Sequence, residues 1–355
     1  MPEGHTLHRL AQALDAAFRG TTPAASSPQG RFEDGAALLD GREVLEASAW
    51  GKHLFMEFAG DTWLNVHLGL IGKFSVDQLA VDADGYAAVP APWGAVRLRL
   101  LNDGYVADLR GAVVCQVVTP PEVDAIVARL GPDPLRADQD PSRAWARIAK
   151  SGRSIAELLM DQSILAGVGN VYRCEVLYRH RVDPFRPGRE IRRSTWDAIW
   201  TDLSRLLPLG VAFNQIITMP DQVERAEALR AAGRIPALTS TWTDSARRSS
   251  PGPAGVVAVA DLEALAEVEA AQEAEALGDA DEAGEEGLDG LDGPDGPDGP
   301  KDETAVVGQR YAGMRRRYYV YRRQGEPCRV CGSRVRTKVV AGRNLFWCGR
   351  CQRRR

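Results

Sequence analysis

The chain contains no run of about 18 consecutive apolar residues, which excludes a helical membrane span of ordinary length. Its start, MPEGHTLHRL, lacks the basic stretch and apolar core of a secretory signal, so a cytoplasmic protein is expected. Cysteine is scarce, with six in 355 residues, and four of the six fall in the last 28 positions. In a cytoplasmic protein such clustering means metal more often than disulfide. The other two, Cys115 and Cys174, stand alone among apolar residues and read as inert core thiols. Basic residues almost vanish between Asp261 and Glu303, where Lys301 stands alone against 17 acids.

What remains is an ordinary globular composition, 44% hydrophobic and 26% charged. The formal net charge of −4 conceals a division. Without residues 261–303 the chain has 43 basic and 31 acidic side chains, a net charge of +12. From Tyr311 to Arg355 there are 14 basic residues and one acid, Glu326. A basic body with an acidic insert suits a polyanion binder with a separate solvated segment. Charge alone leaves a merely soluble, arginine-rich surface as the alternative.

Periodicity divides the chain into an α+β multidomain protein. Leu7, Leu10, Ala11, Leu14 and Phe18 recur at helical spacing over His5–Phe18. Short alternating runs follow, His53–Phe58, Trp63–Leu68 and Val96–Leu100 among them, punctuated by Gly and Pro. Residues 1–120 are therefore expected to form a β-sandwich with a leading helix. Residues 121–239 read as a helical domain, with helices over Pro121–Leu130, Pro141–Ala149, Ser154–Ser163, Asn170–His180 and Arg193–Leu207. Residues 240–308, with the near-repeat GLDGLDGPDGPDGP and almost no aromatics, read as a disordered acidic insert, transiently helical over Asp261–Leu277.

Residues 309–355 are too few for a core of their own and need a staple. Cys328-x2-Cys331, 16 residues, then Cys348-x2-Cys351 supplies one. Two such knuckles bring four thiolates to one tetrahedral Zn²⁺, with room for a β-hairpin between them. Four cysteines close the coordination shell, so the ion is expected to be structural. Arg334, Arg336, Lys338, Arg343, Arg350 and Arg353–Arg355 make the module cationic and suited to phosphate.

Four stretches carry a resemblance: the N-terminal MPEG, GKHLF at 51–55, LLMDQSILAGVGNVYRCEVLYRHRVDP at 158–184, and GRNLFWCGRCQ at 342–352, with LGPDPL at 130–135 as a fifth. In this order they resemble the Fpg/Nei (formamidopyrimidine-DNA glycosylase/endonuclease VIII) family, and in detail its actinobacterial Nei-type branch. The resemblance implies a β-sandwich, a helix–two-turn–helix domain and a zinc finger. It also implies a monomeric bacterial enzyme, nucleoid-associated when bound, that acts on damaged DNA with the target base flipped out.

Removal of Met1 would leave Pro2 as a terminal secondary amine, with far more neutral form at pH 7 than a lysine. Taken alone, Pro2 is a poorly ordered terminus; the resemblance makes it the nucleophile that attacks C1′. Glu3 alone reads as a charge–dipole partner for its own helix, and by resemblance as the proton donor for ring opening and base release. Lys52 is either a snorkelling surface lysine or a catalytic lysine at a phosphate. Asn170 is an N-cap by sequence and a phosphate ligand by resemblance. Arg343 matches the zinc-finger arginine that grips phosphate and supports δ-elimination. His67 (phosphate contact) and Leu70 (filler of the vacated gap) fall in the wedge region, where ordinary strand-end packing is the alternative.

The chain departs from the Fpg pattern after Asp108-Leu109-Arg110, where Gly111-Ala112 replaces an aromatic. That departure favours the endonuclease VIII branch. The expected activity is glycosylase for oxidised pyrimidines plus AP lyase by β,δ-elimination. A formamidopyrimidine/8-oxoguanine enzyme and a non-catalytic damage-binding protein remain as alternatives.

Overall fold

A computed structural model describes residues 2–80, 89–241 and 315–353. Met1 and all but the first two residues of the expected acidic insert lie outside the described residues. The described residues fall in one compact unit, Met1–Thr241 with Arg310–Arg355.

The leading helix, α1 (Gly4–Phe18), buries Leu7, Ala11, Leu14 and Phe18, the stripe that its spacing predicts. Strand β1 (Ala24–Ser26) and helix α2 (Glu33–Leu39) follow. Strands β2 (Val44–Trp50), β3 (His53–Phe58), β4 (Thr62–His67), β5 (Lys73–Gln78), β6 (Val96–Leu101), β7 (Tyr105–Arg110) and β8 (Val114–Val118) complete the N-terminal region. They form two sheets, one ordered β2-β3-β4-β8 and the other β1-β6-β7-β5, the latter extended by β9 (Ser240–Thr241) in parallel with β5. Leu54, Met56, Leu64 and Val66 from one sheet and Phe74, Val76, Leu98, Leu100, Ala107 and Leu109 from the other share one core with α1.

Alternation in β6 has an unexpected outcome on its polar side. Arg99 is buried, not solvated, because Asp108 on β7 receives it through two hydrogen bonds of 2.7 and 2.8 Å. A buried guanidinium requires such a fork to offset its lost hydration.

The helical region comprises α3 (Pro120–Arg129), α4 (Pro141–Ile148), α5 (Ile155–Leu158), α6 (Asn170–Arg179), α7 (Arg193–Phe213) and α8 (Pro220–Ala231). Helix α5 ends well before the expected Ser163. Asp161 accepts from the Ser163 N–H, and Gln162 serves the Gly167 N–H and the Val168 carbonyl. Polar side chains thus take the backbone groups that a continued helix would have used. Helix α7 runs past Leu207 despite Pro208 and stops at Asn214 in the left-handed region. Helix α8, its first turn opened by Pro220, has little amphipathic pattern and escapes sequence reading.

The C-terminal hairpin is β10 (Arg336–Val340) and β11 (Arg343–Trp347). Its two-residue turn, Ala341-Gly342, has both residues at positive φ. Val320, Val335, Leu345, Phe346 and Cys348 join the same core as α4–α8, so this region is held by packing as well as by its cysteines. Among the described residues no helix is long and apolar enough to cross a membrane.

Candidate active site

Three glycines allow three distant segments to touch through their main chains. The Gly4 N–H donates to the Gly167 carbonyl at 2.7 Å, and Gly167 has φ +84°. A side-chain carbon on Gly4 would lie 2.7 Å from Gly167 Cα, and one on Gly51 would lie 3.0 Å from Ala166 Cβ. One on Gly167 would lie 3.5 Å from both the Gly4 and Gly51 Cα atoms. The N-terminus, the β2–β3 turn and the turn before α6 therefore meet at one point. Pro2 and Glu3 precede Gly4, and Lys52 follows Gly51.

Asp133 fixes the same junction. Fully buried, it accepts from the Gly51 N–H at 2.7 Å, the Leu135 N–H at 2.9 Å and His8 Nε2 at 2.8 Å. Sequence reading noted LGPDPL only as a family match and gave Asp133 no role. An aspartate flanked by two prolines, whose own N–H groups are absent, was the available signal.

Glu3 departs from the reading as a partner for its own helix. It occupies the N-cap position of α1 but makes no side-chain cap there. Its fully buried carboxylate instead crosses to α6, accepting from Val171 N–H at 2.7 Å, Gly169 N–H at 2.9 Å and Tyr172 N–H at 3.5 Å. An anion at a helix start satisfies orphan donors and the positive dipole end. Burial nevertheless raises the Glu3 pKa, outweighing the opposing pull of Lys52 and of these N–H groups. A carboxyl in that balance can hold a proton and release it.

Asn170 is the first residue of α6, not its N-cap, which is Gly169. Its buried side chain faces the C-terminal hairpin, donating through Nδ2 to the Asn344 carbonyl at 3.0 Å and accepting from Arg173. Arg173, also buried, reaches the Val340 carbonyl at 3.1 Å and the Arg343 carbonyl at 3.5 Å. The hairpin tip bearing Arg343 is thereby seated at the helix start that also receives Glu3. Sequence reading assigned Arg173 no part in this junction.

Lys52 is half-buried at the head of β3. His67, at the end of β4, is 6% exposed, and its Nδ1 accepts from the Gly69 N–H at 3.2 Å. Burial first and the Lys52 charge second depress the His67 pKa to about 4. Leu70 lies beyond it on the β4–β5 loop, 37% exposed. Pro2 is half-buried. Glu3, Lys52, Asn170 and the Arg343 backbone are thus brought to one junction, with His67 within electrostatic reach and Leu70 on the adjoining surface.

The four C-terminal cysteine sulfurs lie within 4.8 Å of one another. The pairs Cys331–Cys348 and Cys328–Cys351 are 3.4 and 3.9 Å apart. Zinc–thiolate bonds of about 2.3 Å in a tetrahedron separate sulfurs by about 3.8 Å, so the donor set fits one zinc ion. Tyr178 Oη lies 3.0 Å from Cys328 Sγ, an outer hydrogen bond that orients the thiolate and ties it to α6. Cys174 is fully buried, with its thiol pushed up to about 12 by burial, as an inert core thiol should be; Cys115, also pushed up to about 12, is only partly buried.

Comparison with known proteins agrees with this geometry. The formamidopyrimidine-DNA glycosylase N-terminal domain matches residues 1–112, the H2TH domain of that enzyme matches 130–221, and the zinc finger found in FPG and IleRS matches 325–354. Endonuclease 8 1 of Mycobacterium tuberculosis is 40% identical over 352 residues, 99% of this chain and 100% of its own. Formamidopyrimidine-DNA glycosylase of Thermus thermophilus is 26% identical, covering 98% of this chain and 91% of its own. In fold, the chain is similar to the Thermus thermophilus MutM (Fpg) crystal structure (TM-score 0.60, 22% identity, 99% of this chain and 98% of that one). A Lactococcus lactis Fpg complex with abasic-site DNA gives a TM-score of 0.61 at 18% identity, covering 99% of this chain and 100% of that one.

Proposed function

The chain belongs to the Fpg/Nei family of DNA glycosylases, and we propose that it is a bifunctional glycosylase/AP lyase that removes oxidised pyrimidines through the Pro2 amine. The observation that carries this reading is the buried Glu3 carboxyl, its pKa raised, beside Pro2 and within reach of the Lys52 charge. Burial favours the neutral acid while Lys52 and the N–H groups favour the carboxylate, and a group held between the two forms suits proton transfer.

In this mechanism the Pro2 nitrogen, freed by loss of Met1, bonds to C1′ of the damaged nucleotide. The N-glycosidic bond breaks and the base leaves with its electron pair and a proton. Glu3 protonates the ring oxygen, the sugar opens, and the nitrogen becomes an iminium. Loss of a C2′ proton feeds that electron sink and expels the 3′ phosphate. A second elimination expels the 5′ phosphate, and hydrolysis restores the amine. Lys52 holds phosphate and supplies a proton during the first elimination, and Arg343 grips phosphate and supports the second. Asn170 and His67 contact the backbone, and Leu70 enters the gap left by the flipped nucleotide. Zinc, when bound, stiffens the hairpin that presents Arg343. The DNA-bound state of the Lactococcus lactis protein of similar fold supports DNA as the partner.

Borohydride trapping on an abasic duplex tests the central step. The wild type should form a covalent adduct and Pro2→Gly none; an undiminished adduct in Pro2→Gly, or in protein that retains Met1, overturns the assignment. A cleavage panel of thymine glycol, dihydrouracil and 8-oxoguanine duplexes tests the lesion class, and 8-oxoguanine as best substrate would replace the pyrimidine reading.

A further inference from the structure

Trp93 is the largest exposed apolar side chain among the described residues, 56% exposed, yet its main chain is firmly held. Arg110 Nε donates to the Trp93 carbonyl at 2.8 Å, and buried Arg99 donates to the Pro90 carbonyl at 2.7 Å. Asp108 fixes both arginines, with contacts of 2.7 Å to Arg99 and 2.8 Å to Arg110. Gly94, at φ +69°, turns the chain directly after the ring. The Arg110 guanidinium lies over the indole, 5.8 Å from its centre. The fold therefore anchors the loop and leaves the ring in water, an arrangement that favours a partner with a flat apolar face.

The surroundings identify that partner. Arg110 pairs with Lys73 on one side and Val96 on the other. A side-chain carbon on Gly111 would touch Ile71 at 3.7 Å and Gly72 at 3.8 Å. The exposed residues Leu70 (37%), Ile71 (44%) and Trp93 thus come to the same end of the five-stranded sheet from two loops. The first of these loops follows directly on His67, which pairs across the sheet with His53, the neighbour of Lys52, so it leaves the strand end beside the proposed catalytic junction. The residues after Arg110, Gly111 and Ala112, are too small to reach into a duplex.

Resting on the glycosylase reading, we propose that Trp93 stacks inside the duplex at the extruded nucleotide, on the base left without its partner, and with Leu70 sets the opposite-base preference. Duplexes opened for base flipping are commonly held open by inserted side chains, and aromatic–base stacking is worth roughly 5- to 150-fold in affinity. Arg110 positions the ring and adds a cation next to the stack.

The test uses full-length protein and duplexes carrying a tetrahydrofuran abasic analogue opposite each of the four bases, with affinity read by fluorescence anisotropy. Trp93→Ala should bind these duplexes about 10-fold more weakly and lose most of its discrimination among opposite bases. Trp93→Phe should keep both properties. Trp93→Gln, which retains bulk over Arg110, should behave as the alanine variant does and guards against a collapsed loop. Borohydride trapping on single-stranded abasic DNA should be the same in all four proteins. Unchanged affinity and preference in Trp93→Ala would overturn the proposal, as would an equal loss on undamaged duplex, which marks a backbone contact. Absence of trapping by the wild type itself would instead remove the glycosylase reading beneath it.

Discussion

Two glutamates meet helix α6, Glu3 at its first turn from the N-terminus of the chain and Glu175 from within the helix itself. Both are fully buried, and burial raises the pKa of both. Glu175 accepts from the Tyr319, Val320 and Tyr321 N–H groups at 2.8–3.0 Å and from the Thr218 hydroxyl at 2.9 Å, pinning the approach to the zinc hairpin. Among the described residues, the hydrogen bonds to Glu3 come from main chain alone, and one is long at 3.5 Å. Glu175 is filled to capacity with donors. Glu3 keeps acceptor capacity in reserve and has Lys52 nearby. On the proposed mechanism the same anchoring device serves as a rivet in one seam and as an acid in the other.

The sharpest way to break the comparison is to neutralise each carboxylate. Glutamine sets an amide against backbone N–H donors at both sites, so both variants should lose roughly 2–4 kcal/mol of folding stability in denaturant titration. Single-turnover base release should separate them. Glu3→Gln should fall by about 100-fold or more, while folded Glu175→Gln stays close to wild type. Equal activity losses would make Glu3 a rivet as well.

A smaller effect moves Glu3 without altering its charge. A methyl on Gly169 would lie 2.5 Å from Glu3 Cδ, so Gly169→Ala should displace the carboxylate and slow base release roughly 10- to 100-fold. Its counterpart in the other seam, Thr218→Val, removes one hydroxyl donor and should cost only about 1–3 kcal/mol of stability, with the rate unchanged.

The smallest effect is a pH dependence confined to the N-terminal region. Burial depresses His67 to about 4 and His5 to about 3 from an ordinary 6.5. Above pH 6.5 each ring is neutral whether folded or unfolded. As the pH falls below 6.5 the unfolded chain takes up protons that the folded rings refuse, so stability declines toward pH 4, by at most about 3 kcal/mol for His67. The glutamates act in the opposite sense, because raised carboxyl values contribute stability below pH 4.5 that is lost as the pH rises through them. The measurement is therefore a difference: His67→Asn should show a flatter loss than wild type between pH 7.5 and 5.

Legibility followed the range of the interactions. The helix at Gly4–Phe18 and the β3 and β4 strands were visible because their side-chain periods face one core. The CxxC pairs were visible because metal geometry restricts spacing. Helix α8 was not, since its stability comes from packing that leaves little pattern, and α5 was overextended because the side chains that end it, Asp161 and Gln162, are also helix-compatible. Taken alone Glu3 read as a partner for its own helix, and its seat on α6 was not foreseen, because a partner 166 residues away leaves no local mark. Asp133 and Arg173 were missed for the same reason, since each is a charge buried against groups more than 80 residues away, whereas Arg99 was missed because its partner Asp108 lies on the neighbouring strand. Trp93 shows the converse, since its exposure is a fact of three dimensions alone.

A ribosome delivers Pro2, Glu3 and Gly4 first, but the turn that clasps Gly4 and the N–H groups that hold Glu3 are made some 166 residues later. The hairpin carbonyl that engages Asn170 belongs to Asn344, a further 174 residues on. On the proposed mechanism, the amine that condenses with the sugar is thus synthesised long before its acid has a seat. Chains that stop short of Gly169 carry Pro2 and Glu3 without the N–H groups that seat the carboxylate, so on the proposed reading synthesis of the helix start, not of the N-terminus, sets when the acid is in place.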